Sequence, residues 1–296
     1  MTTKMPVRKR TLSPILLAVI LMVAGSVSMV SVGIVTVILS GVPLPNDPQQ
    51  YLVTHPWPGL VAGMFAQALV GFFGYRFLVR HREHRAPEEL QGPSAFREFF
   101  VGSLVGVAFI GIVMLTLSLV GAYRVSSFSI NTGILVGLSL GIGAAFLEEA
   151  VFRGFLLRAL HNKYGAVVAL LIVSVVFGLI HLLNSTATGD VNLWGVVAIM
   201  IESGFFLSGA YYLTRRLWLV IGIHLMWNFT IGGIFGLPVS GINPGGGLLS
   251  GQLSGPEWLT GGNFGIEGSV VTVIVGLVFG IVMLIVAHRR NGLVLG

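Results

Sequence analysis

Tyr164–Leu183 reads YGAVVALLIVSVVFGLIHLL, 20 residues with no carboxylate and one basic side chain, His181. At 1.5 Å per residue a helix over this run covers about 30 Å, the hydrocarbon thickness of a bilayer. The stretch therefore predicts a membrane-spanning helix. Comparable apolar runs lie on both sides, near residues 14–40, 57–79, 99–121, 130–157, 191–213, 216–236 and 268–287. Eight spans follow. Composition agrees, with 54% hydrophobic and 9% charged residues, against roughly 25% charged in soluble proteins. The expected fold is all-α: a polytopic transmembrane helix bundle of about eight spans. The chain has no cysteine, which excludes disulfides, thiolate metal sites and a cysteine nucleophile.

Charge placement orients the bundle. Lys4, Arg8, Lys9 and Arg10 precede the first run, whose apolar stretch is too long for a signal peptide and lacks a small-residue cleavage site, so a retained anchor is expected. Arg76, Arg80, Arg82, Arg85 and Arg97 follow in the second to third connection. Arg153, Arg158 and Lys163, then Arg215 and Arg216, then Arg289 and Arg290 recur on the same side. Of 17 basic residues only Arg124 falls on the other side. Cytoplasmic segments are enriched in Lys and Arg, so both termini are expected in the cytoplasm, with the protein in the plasma (inner) membrane. The net charge of +6 then reflects orientation, and no nucleic-acid partner is implied.

Ionisable groups at membrane depth are costly and are functional candidates. The chain has Glu148, Glu149 and Arg153 on the fourth span, His181 on the fifth, Glu202 on the sixth, and His224 with Asn228 on the seventh. Glu149 and Arg153 stand four apart and share a helix face, where they can form a structural ion pair. Glu148 points about 100° away and has no local cation. A desolvated carboxylate of that kind suits a general base near neutral pH. His181 follows Phe177 by four residues, and His224 precedes Asn228 by four. A His and an Asn on one face can hold a developing oxyanion or can bind helix to helix. Helix rise puts Glu148 about 21 Å and His181 about 28 Å from the turn near Asn162, and His224 about 12 Å from Arg216. These depths match if the turn with Arg158, His161 and Lys163 projects into the cytoplasm. Glu202 is expected either to line a cavity or to bond a neighbouring helix.

The motifs Glu148-Glu149-Ala150-Val151-Phe152-Arg153, Phe177-Gly178-Leu179-Ile180-His181 and His224-Leu225-Met226-Trp227-Asn228 resemble the CAAX protease and bacteriocin-processing family of intramembrane endopeptidases, also called the Abi family. The lead-in Thr214-Arg215-Arg216-Leu217-Trp218 and Gly222 also look like this family. The resemblance covers roughly residues 130–236. It divides the chain into an N-terminal region of three spans (1–129), a catalytic core (130–236), and an outer Gly-rich loop with the final span (237–296). It implies that Glu148 and His181 activate the attacking water, that His224 and Asn228 stabilise the oxyanion, and that Glu149 and Arg153 orient the site. Phe177 and Glu202 are candidate cavity-lining residues.

Glu148, His181 and His224 could bind zinc and leave a water position open. The helix motif H-E-x-x-H is absent, however, and a Glu–His pair can activate water without a metal. No cofactor is therefore expected, with zinc as the alternative. Expected partners are a peptide or protein substrate, lipidated or membrane-embedded, and membrane lipids. Two other functions fit the same residues: a proton-coupled transporter relaying through Glu148, His181 and Glu202, or a non-catalytic family member acting as a binding or immunity module. No pair of Gly/Pro-broken spans marks a transporter repeat. The outer stretch from Leu237 to Glu267 is Gly-rich and too apolar for a solvated tether, which suggests that it folds back onto the bundle.

Overall fold

A computed structural model describes residues 13–41, 57–187 and 192–291. Among the described residues eight helices are long and apolar enough to cross a membrane: Pro14–Leu39, Pro58–Glu83, Ala95–Leu119, Thr132–Tyr164, Ala166–Leu183, Leu193–Thr214, Leu217–Ile234 and Val270–Arg290. The expected spans agree with these within a few residues at most ends. The fourth span is longer than expected because its helix continues through Arg158, His161 and Lys163 to Tyr164. Gly165, at φ +82°, then turns the chain into the fifth. Lys4, Arg8, Lys9 and Arg10 lie outside the described residues.

The seventh span is the axis of the bundle, and glycines make it so. Gly102 and Gly106 of the third span sit directly on the carbonyls of Leu219 and Ile223 in the seventh, and Gly141 of the fourth sits on that of Leu225. A Cβ at any of these positions would meet backbone. In lipid, where apolar side chains gain nothing by leaving their surroundings, such close backbone approach is what joins helices. Large apolar side chains such as Val19, Val23, Leu115, Leu171 and Val278 face outward, where lipid replaces water.

Each end of the bundle is tied by polar contacts. On the basic side, Arg158 of the fourth span chelates Glu83 at 2.5 and 2.7 Å, and Arg85 pairs with Glu89 at 2.8 Å. Arg216 pairs with Glu98 and donates to the Gln91 carbonyl, while the Trp218 indole donates to that of Leu90. The connection between the second and third spans is thereby clamped across the start of the seventh. On the opposite side, strand β1 (Tyr123–Phe128) pairs antiparallel with β2 (Leu249–Leu253), with Ser127 facing Ser250. Asn131 caps the fourth span by accepting from the Gly133 N–H and donates to the Gly247 carbonyl. Trp194 donates to the carbonyl of Gly268 at 2.7 Å. The outer loop is thus a folded layer on the bundle.

Among the described residues five segments wind as π-helix, and three of them begin within two residues of positions singled out above: Ala150–Leu157 after Glu149, Ser203–Leu207 after Glu202, and Thr230–Ile234 past Asn228. Such segments leave carbonyls and side chains re-aimed relative to an ideal α-helix, and they recur at functional sites.

Candidate active site

The fourth and seventh spans meet at Glu149, which is fully buried. Its Oε1 accepts from Arg153 Nη1 at 3.1 Å and lies 2.7 Å from His224 Nδ1. The expected i,i+4 pair exists, but it is part of a triad. Arg153, also fully buried, donates from Nη2 to the Ser203 carbonyl at 2.7 Å and stacks on Phe177, with Cζ 5.2 Å from the ring centroid. That carbonyl, at the start of a π-helical segment, also accepts the Ser208 N–H. One guanidinium therefore joins the fourth, fifth and sixth spans behind the site.

A carboxylate cannot donate, so the contact with Glu149 requires a proton on His224 Nδ1. His224 Nε2 is left for other work, and Glu148 Oε2 approaches it at 3.9 Å. This Glu148 oxygen has no hydrogen-bond partner, and the side chain keeps 18% exposure, unlike the sealed Glu149. His181 lies 2.8 Å through Nδ1 from the Phe177 carbonyl one turn back, and stacks on the Phe177 ring at 4.5 Å. A carbonyl only accepts, which fixes the proton on Nδ1 and leaves the Nε2 lone pair free.

His181 and His224 share a cavity of about 10 Å³ with Phe177, Trp227, Ile199 and Leu207. This is room for about one water. Two further lining residues, Ser240 and Glu267, come from the outer loop. Glu267 is buried; it accepts from the Ser240 N–H and, at 3.0 Å, from the Ser240 hydroxyl. Burial pushes its carboxyl above the usual range. The Ser240 N–H, the nearby His181, the Ser240 hydroxyl and His224 pull the other way.

The structure thus brings Glu148, Glu149, Arg153 and His224 together, and His181 with Phe177 and His224. Asn228 is buried one turn beyond His224 and is not among the residues lining the cavity. Glu202 is fully buried, packs near Gly276 of the eighth span, and neither lines the cavity nor hydrogen-bonds through either carboxyl oxygen. Glu267 and Ser240 escaped the sequence reading. The available signal was a carboxylate three residues before a span, in a loop otherwise almost free of charge.

The zinc alternative fits poorly. Among the described residues no three His, Asp or Glu side chains stand together as metal ligands, although the Nδ1 contacts leave Nε2 of both histidines open.

Residues 130–230 match the family model described as type II CAAX prenyl endopeptidase Rce1-like. The matched segment, about a third of the chain, is similar to the CAAX protease family. The match takes in all three motifs and supports a CAAX-type intramembrane endopeptidase in general terms. Comparisons with curated proteins and with solved structures returned no significant match.

Proposed function

We propose that the protein hydrolyses peptide bonds within the membrane by water attack. The observation that carries this reading is the one-water cavity between two histidines, each with its Nδ1 proton fixed by an acceptor. In the proposed reaction His181, which lines the cavity, and Glu148, which reaches the site beside His224 Nε2, draw a proton from the water as its oxygen adds to the carbonyl carbon. His224, steered by Glu149, and Asn228 receive the oxyanion. Donation from His224 Nε2 while Nδ1 bonds Glu149 requires the doubly protonated ring. Arg153 holds Glu149 in place through the 3.1 Å contact. Phe177 supplies the carbonyl that sets the His181 tautomer and the ring that flanks it.

The substrate in this reading is a peptide or protein presented at the plasma membrane, lipidated or membrane-embedded. The test is cleavage of a quenched peptide and lipopeptide library by purified protein in detergent or bilayer discs. Wild type is expected to cleave, and Glu148→Ala to fold but not cleave. Cleavage should survive a strong chelator, since no step uses a metal. A well-folded wild type that cleaves nothing but moves protons in liposomes would replace this reading with the carrier.

A further inference from the structure

We propose that Glu267 is a further catalytic residue of this site, the acid that protonates the departing amine; the proposal rests on the hydrolase reading above. Four of the groups around the one-water cavity are polar: His181, His224, Ser240 and Glu267. The two histidines come from the fifth and seventh spans, and the loop supplies the other two. Glu148 is not among the lining residues, although it stands 3.9 Å from His224. Glu267 is therefore the carboxyl that faces the cavity itself. Its Oε2 is pinned by the Ser240 N–H and hydroxyl, which fixes its direction.

Peptide hydrolysis needs such a group. Water adds its oxygen to the carbonyl carbon and gives one proton to the Glu148–His181 pair. When the tetrahedral intermediate collapses, the C–N bond breaks with its electron pair on nitrogen. An amine leaves as a neutral molecule only if that nitrogen gains a proton. Glu267 gives it from the loop side and regains one from the Glu148–His181 pair, so that one water is consumed and an acid and an amine are released. Burial favours the protonated form of Glu267 between turnovers. The facing His181 and His224 limit the effect.

The test compares two leaving groups. The best peptide from the quenched library is prepared as the amide and as the 4-nitrophenyl ester of the same acyl sequence. Nitrophenolate leaves without a proton. Glu267→Gln keeps an acceptor for Ser240 and removes the acid. Amide cleavage is expected to fall about 10²–10⁴-fold, the usual worth of acid catalysis, while ester cleavage falls less than about fivefold. Glu148→Gln should lose both. If amide and ester rates of Glu267→Gln fall together, or neither falls, the acid role is overturned. If Glu267→Gln does not fold, Glu267→Asp replaces it: a selective loss on the amide supports the role, and an unchanged amide-to-ester ratio overturns it. If wild type cleaves neither substrate, the hydrolase reading falls and takes this role with it.

Discussion

Glu148 and Glu149 are neighbours in sequence with opposite surroundings. Glu149 is sealed between Arg153 and His224, whereas Glu148 keeps an unbonded oxygen and partial exposure. Removing one partner of a buried ion pair typically costs about 3–5 kcal/mol. Glu149→Gln should therefore lower the unfolding temperature in detergent by many degrees and also reduce cleavage. Glu148→Gln should abolish cleavage with little thermal effect. Equal thermal losses in the two variants would mean that the division of labour is wrong. The sequence revealed half of this arrangement. Four-residue spacing was enough for Glu149 and Arg153, because a helix face is local geometry. The bond from Glu149 to His224 links residues 75 apart and depends on how two spans rotate against each other. Spacing does not encode that rotation.

Among the elements, the third and seventh spans are held together by the absence of side chains. Gly106→Leu would drive a side chain into the Ile223 carbonyl and should destroy the monodisperse folded peak in size-exclusion chromatography. Gly111, on the same helix, has nothing within 4 Å of where a Cβ would lie. Gly111→Ala should leave the peak and the unfolding temperature unchanged or slightly raised. If both variants behave alike, the close approach is not what secures the seventh span. Span positions were legible because each is one long apolar run. The π-helical stretches after Glu149, Glu202 and Phe229 were not. Hydropathy along an all-apolar helix has no period to betray an extra residue per turn, and only the packed Arg153–Ser203 contact shows what the widened turns accommodate.

For the whole molecule, the described Lys and Arg residues other than Arg124 lie at the end opposite the folded loop. Ser254 is exposed in the outer layer and Ala86 is exposed in the inner connection. Because the chain has no cysteine, single substitutions report cleanly. In intact cells Ser254→Cys should react with a membrane-impermeant maleimide, and Ala86→Cys should react only after lysis. The reverse pattern would invert the bundle. Charge bias alone sufficed for this expectation. It gave no hint that the layer from Leu237 to Gly268 would contribute Ser240 and Glu267, because those residues meet His181 and His224 only through tertiary packing between segments distant in the sequence.

The pairing of β1 with β2 bears on turnover. In the hydrolase reading proposed above, a chamber for one water does not admit a peptide, so a cycle would have to begin with a local opening whose equilibrium scales the rate. Cleavage would then be paced by the cohesion of a two-stranded ribbon, and its temperature dependence would resemble melting more than bond chemistry. Ser127 and Ser250 face each other across the ribbon, at a separation that a disulfide can span. With cysteines at both, oxidation should silence the protein and dithiothreitol should revive it. Undiminished cleavage in the oxidised form would mean that substrate slides in sideways between helices, past a ribbon that never parts.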